Sequence, residues 1–127
     1  MIASKYINSI LSMLCDGDED GLAIRPQLPY LIDDRYDYTA VGLFVYFRHT
    51  DGIQRHRYDG SRNVLYGVKF RSSIDNIEGE AQVFVKDGFI DYLEIWCYSG
   101  SYPKRDLLNY VLTQEWGWRT GKELRDE

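Results

Sequence analysis

Apolar residues recur at Ile2, Tyr6, Ile7, Ile10, Leu11 and Leu14, the spacing of one helix face. They predict a helix from about residue 2 to 15, ended by Asp16-Gly17. The stretch from Asp16 to Thr39 mixes glycine, two prolines and seven acids and keeps no period, so it reads as a long ordered connection. From Ala40 to Arg48 the run AVGLFVYFR has strand composition, with Leu43, Val45 and Phe47 alternating against Phe44 and Tyr46. After the turn at Asp51-Gly52, IQRHRY predicts a polar edge strand blunted by Arg55 and Arg57. NVLYGVKFRS then predicts a strand with Val64, Tyr66, Val68 and Phe70 on one face and Leu65 and Lys69 on the other.

The clearest element is a hairpin from Ile77 to Gly100, whose two apolar-rich runs flank Asp87-Gly88. A two-residue loop would place Glu94 among Val83, Val85, Ile90 and Tyr92. A three-residue Lys86-Asp87-Gly88 loop pairs Val85 with Phe89 and Ala81 with Leu93, and sorts the faces better. It collects Ala81, Val83, Val85, Phe89, Leu93, Ile95 and Cys97 on the core side, interrupted by Asp91. The other side holds Glu80, Gln82, Phe84, Ile90, Tyr92, Glu94, Trp96 and Tyr98, with Glu80 opposite Glu94 as a mildly unfavourable pair. Beyond Pro103, Leu107, Leu108, Val111 and Leu112 fit a helix face while NYVLTQE has strand composition, and both readings stay open. The charged tail after Trp118 is expected to fray. The expected fold is α+β in one domain: an N-terminal helix packed on an antiparallel β-meander of about five strands, closed by a C-terminal helix or strand.

Charge alters this picture by its placement. The 127 residues carry a net charge of −5, against the basic face a general nucleic-acid binder needs. Residues 16–38 hold seven acids and two arginines, and residues 72–103 six acids and Lys86. Residues 48–71 hold six bases and two aspartates. Eleven tyrosines favour tyrosine-rich surface patches. Cys15 and Cys97 are too few and too far apart for a disulfide framework and read as buried thiols. With no basic n-region at its start and no apolar run near 18 residues, the chain is expected to be soluble and cytoplasmic.

Candidate chemistry is sparse. His49 and His56 sit among Arg48, Arg55, Arg57 and Arg62, a composition that could serve metal-free phosphodiester cleavage; an arginine-rich solvated edge explains the same residues. No cysteine or histidine pair has metal-ligand spacing. Asp16, Asp18 and Asp20 begin like a calcium loop, but Gly21 and Gln27 occupy its sixth and twelfth positions where glycine and glutamate belong, so only the glycine fits. Phosphate-loop and serine-nucleophile motifs are absent. No cofactor is expected. The acidic run at 33–38 instead offers Asp33, Asp34 and Asp37 interleaved with Tyr36 and Tyr38 as a partner-contacting patch. Tyr92, Glu94, Trp96 and Tyr98 on the hairpin extend it.

Gly79-Glu80-Ala81, Val83, Val85, Lys86-Asp87-Gly88, Tyr92-Leu93-Glu94-Ile95, Tyr98, Gly100 and Tyr102-Pro103 resemble small bacterial immunity proteins of contact-dependent growth inhibition and other polymorphic toxin systems. The likeness covers about a quarter of the chain. It implies a small cytoplasmic protein with no catalytic residues that neutralises a cognate toxin, often a nuclease, by covering its active site or a nearby surface. The expected partner is therefore a protein toxin, with no membrane or direct nucleic-acid contact, and the chain is expected to be a monomer or weak homodimer. Two other readings remain: a small metal-independent nuclease or phosphoesterase using His49 and His56, and a small-ligand module with Trp96, Tyr98 and the tail tryptophans.

Overall fold

The computed structural model describes residues 1–116 and 119–126. Helix α1 (Lys5–Leu14) is capped by Ser4, whose hydroxyl accepts from the Ile7 N–H at 3.1 Å. A short helix α2 (Glu19–Ile24) follows, capped by Asp18, and runs into a 3-10 helix at Arg25–Tyr30. Seven strands make one antiparallel sheet: β1 (Leu31–Tyr38), β2 (Gly42–His49), β3 (Val64–Ser72), β4 (Ile77–Lys86), β5 (Phe89–Cys97), β6 (Tyr110–Trp116) and β7 (Arg119–Asp126). Their spatial order is β1-β2-β5-β4-β3-β6-β7. Helix α1 packs across β3, β4 and β6.

The α+β class and the N-terminal helix agree with the sequence reading; the strand count of about five and the simple meander do not. β1 lies inside the stretch read as a connection, because its core-side positions are filled by Leu31, Asp33 and Tyr36 rather than by an apolar alternation. The tail expected to fray pairs with β6 as the edge strand β7, nearly all exposed and so without apolar signal. The open question after Pro103 resolves to strand β6, while IQRHRY is no strand. Ile53–His56 is a 3-10 helix entered through Gly52 at φ 101°, with Ile53 alone buried. β2 therefore pairs with β5, and residues 50–63 cross to β3.

The hairpin turns on two residues, Asp87 (φ 53°) and Gly88 (φ 86°), the left-handed pair of a type I′ turn. Lys86 faces Phe89 and Val85 faces Ile90, and Asp91 is then an extra residue, so Phe84 faces Tyr92 and Ala81 faces Ile95. This bulge corrects the three-residue loop: Ile90 joins Leu93, Ile95 and Cys97 in the core, and Glu80 faces Trp96. Likewise Tyr66 and Gly67 (φ 107°) together oppose Gln82, so Leu65, Val68 and Phe70 share the buried face and Tyr66 turns outward. A third extra residue, Asp34, interrupts the β1–β2 register.

Two buried glutamines join sheet to helices. Gln27 accepts from the Ile90 N–H (2.9 Å) and donates to the carbonyls of Gly88 (2.8 Å) and His56 (3.0 Å). Gln114 donates to Met13 O at 2.9 Å and accepts from the Lys122 N–H at 2.7 Å. Both cysteines are free and buried, and burial pushes the Cys15 thiol up to about 12. No helix among the described residues is long and apolar enough to cross a membrane.

Replacing Gln27 by Ala strands the buried Ile90 N–H and takes a donor from the carbonyls of His56 and Gly88, of which Gly88 keeps the Tyr58 N–H at 2.9 Å; a stranded buried group costs about 1–3 kcal/mol unless water replaces the amide. Urea unfolding of Gln27→Ala is expected to show a loss of about 2–4 kcal/mol; a loss below 1 kcal/mol refutes this role.

Candidate functional site

The sheet has two unlike faces. On the covered face Leu43, Val45, Val68, Phe70, Ala81, Val83, Leu93, Ile95 and Leu112 meet Ile7, Ile10, Leu11 and Leu14 of α1 in one core. The 99–109 loop lies on that side too, since Tyr102 packs edge-on against Phe70 and bonds the Tyr6 hydroxyl. The opposite face carries Arg35 and Asp37 (β1), Phe44 and Tyr46 (β2), Tyr92, Glu94 and Trp96 (β5), Glu80, Gln82 and Phe84 (β4) and Lys69 (β3). None of its aromatic residues belongs to the core.

Antiparallel registers set an aromatic row across the open face: Arg35 opposes Tyr46, Tyr46 opposes Tyr92, Tyr92 opposes Phe84, and Phe84 opposes Val64. Tyr92 stacks on Phe84 at 4.6 Å between centroids and 17° between planes, with Tyr46 at 5.7 Å and Phe44 at 6.1 Å. At its end the Arg35 guanidinium lies 4.1 Å over the Tyr46 ring. Phe44, Tyr46, Phe84 and Tyr92 are each intermediate in exposure. Rigid aromatic side chains on strands lose little entropy on meeting a partner.

A second row, toward the other end of the strands, is acidic. Phe44 opposes Glu94, which accepts from the Gln82 amide at 2.8 Å, and Trp96 opposes Glu80. Reduced hydration raises the Tyr92 phenol's pKa, with Glu94 and Asp91 adding to it. Tyr98 goes up to about 12 through lost hydration and its bond to Glu80, then Glu115 and Glu78. Both phenols are hydrogen-bond donors at neutral pH. Beside Tyr98 an open cleft of about 470 Å³ is lined by Arg71, Glu78, Ser99, Asn109 and Val111.

The structure brings Tyr92, Glu94, Trp96 and Tyr98 together on this face and divides the acidic run. Asp37 reaches the open face, paired to Arg35 at 3.4 Å. Asp34, the bulge residue, pairs with Arg48 at 3.6 Å. Asp33 turns to the covered side, accepting from the N–H groups of Ala3 (2.9 Å) and Ser4 (3.3 Å) and from the Tyr36 hydroxyl (2.6 Å). Tyr36 and Tyr38 follow it there, 6.3 Å apart and packed on the core's edge. Phe44, Tyr46 and Phe84 were not singled out by sequence reasoning. The alternation of AVGLFVYFR carries the signal for the first two.

Of the residues considered for metal-free catalysis, His49 donates from Nε2 to the Ile90 carbonyl at 2.6 Å, and the His56 ring packs on Tyr30. Arg62 is held by Asp18 (3.1 Å) and Asp20 (3.3 Å). Trp116 fills the space beside Gly17 and Gly67 with Arg119 over its ring, away from the face of Trp96, and Trp118 lies outside the described residues. Among the described residues no cluster of three or more His, Cys, Asp or Glu side chains is arranged to hold a metal ion. No protein-family model matches the chain, and no curated protein or solved structure shows significant similarity to it.

Asp33 links the helix start to the β1 edge. Partial burial alone would raise its pKa, but the hydrogen bonds from Ala3, Tyr36 and Ser4 outweigh that and lower it. A depressed folded-state pKa gives stability that is present above the unfolded value of about 3.9 and lost as pH falls through the folded value. Thermal melts of the wild type are expected to fall below pH 4 more steeply than those of Asp33→Asn; parallel curves refute the link.

Proposed function

We propose that this chain is a binding protein that docks on a partner protein through the open sheet face, and that the partner is a cognate bacterial toxin neutralised by occlusion. The carrying observation is the uncovered aromatic row Tyr46–Tyr92–Phe84 at the centre of a sheet whose helices all lie behind it. Strand spacings of about 4.8 Å and strands of about eight residues at about 3.3 Å each outline roughly 800 Å². That matches the roughly 800 Å² each partner buries in a standard specific interface. A contiguous aromatic surface on a rigid framework marks an interaction site, and aromatic anchors ringed by polar groups are what such interfaces use.

The toxin part rests on the hairpin resemblance. Glu80, Tyr92, Glu94 and Tyr98, which carry part of it, stand on the open face, while Ala81, Val83, Leu93 and Ile95 form the core behind. In this reading the chain acts by binding and contributes no catalytic group. Asp33 supports the fold rather than the contact, so Asp34 and Asp37 are the acids of the 33–38 run that remain on the contact surface.

Growth assays pairing the chain with the product of its neighbouring gene test this. The unaltered chain is expected to restore growth and form a stable complex. Tyr92→Ala is expected to weaken the complex by about 2 kcal/mol or more, as for a central aromatic anchor, with circular dichroism unchanged. A neighbouring product without growth-inhibiting activity, or full protection by a folded Tyr92→Ala, Phe84→Ala double variant, overturns the proposal.

A further inference from the structure

The chain repeatedly seats its own arginines on aromatic rings, twice with a carboxylate paired to the same guanidinium. Arg35 lies 4.1 Å over Tyr46 with Asp37 at 3.4 Å, and Arg62 lies 5.7 Å from Tyr66 with Asp18 and Asp20 at 3.1 and 3.3 Å. Arg119 covers Trp116 at 4.2 Å. A guanidinium suits such seats because it is weakly hydrated, stacks on π faces and donates in-plane to carboxylates.

At Trp96 the same parts stand together without the cation. Glu80 is directly across β4, and Glu94 and Tyr98 flank the indole two residues away along β5 on the same face. On the remaining side the residue opposite is Gly42, which has no side chain to cover the ring. The Tyr98 phenol stands beside Glu80, and Glu94 takes the neutral Gln82 amide. Lys69, the cation opposite Glu80, reaches to Glu115 at 3.2 Å instead. Among the described residues neither Glu80 nor Glu94 is in an ion pair, and no cation of the chain covers Trp96.

We infer that the exposed side of Trp96 is a guanidinium seat: an arginine presented by the protein partner stacks on the indole and bonds the carboxylates of Glu80 and Glu94. This deepens, and for its occupant rests on, the reading of the open face as a partner-binding surface. Two carboxylates in no ion pair beside a partly exposed indole are complementary to one cation with planar donors, and they repel the phosphates of an RNA.

Two measurements test it. In ¹H–¹⁵N spectra the Trp96 indole N–H, assigned with Trp96→Phe, is expected to shift on titration with N-acetyl-argininamide and not with the neutral isostere N-acetyl-citrullinamide. Glu80→Gln with Glu94→Gln should weaken that response at least fivefold. Equal responses to the two probes, or an unchanged response in the double variant, overturn the seat. In the growth assay the same double variant is expected to bind the toxin roughly tenfold more weakly, the scale of a desolvated cation–π contact with its charge partner. Full protection by the double variant overturns the inference while leaving the toxin reading standing. If the unaltered chain gives no protection, the toxin reading falls, and the argininamide titration alone decides the seat. Tighter binding of single-stranded RNA than of argininamide at Trp96 also overturns it.

Discussion

Everything in this structure follows from a sheet with cover on one side only. Seven strands present two faces, and α1, the 3-10 segments and the 99–109 loop all press on the same one. Every strand must therefore send its core side chains to that face, although a strand alternates strictly. Bulges in β1, β3 and β5 reconcile the two demands. At Asp34, at Tyr66-Gly67 and at Asp91 one extra residue resets the alternation, so Asp33 and Tyr36, Leu65 and Val68, and Ile90 and Leu93 end up three apart on the same side. Without the extra residue at Asp91, either Ile90 or the set Leu93, Ile95 and Cys97 would face water.

The same device arranges the open face. Resetting the parity of β5 aligns Tyr92 with Phe84 and Tyr46, and sets Trp96 against Glu80 rather than Glu94 against Glu80. The repulsive cross-strand pair of carboxylates implied by a three-residue loop is thereby avoided. Glu94 gains the Gln82 amide instead. Packing of the core and the layout of the aromatic row are thus two readings of one register.

Much of this was legible in the sequence where local chemistry and global pattern agree. The period of α1, the Asp87-Gly88 turn and the strand composition of 40–48 needed no tertiary information. The bulges were not legible, because an extra residue looks like broken alternation and invites another loop length. β1 hid because Asp33, which holds the start of α1 thirty residues away, occupies a core-side position where an apolar residue would have signalled a strand. β7 hid because an edge strand exposed along its length has no apolar face to show. The aromatic residues of the open face were visible, but whether a face is covered depends on where distant elements pack.

Charge on the open face separates support from contact more sharply than composition does. Asp33 satisfies backbone N–H groups and a phenol, and Asp34 and Asp37 have arginines of their own, so most of the acidic run is internally answered. Among the described residues Glu80 and Glu94 are in no ion pair: Glu94 accepts from the neutral Gln82 amide, and Glu80 neighbours the Tyr98 phenol. A partly desolvated carboxylate bonded to a neutral donor still carries its full charge, and the field at Tyr92 and Tyr98 is the sum of such groups. Glu80 and Glu94, in no ion pair among the described residues, therefore lie toward the Trp96 end of β5 and not along the β1 edge.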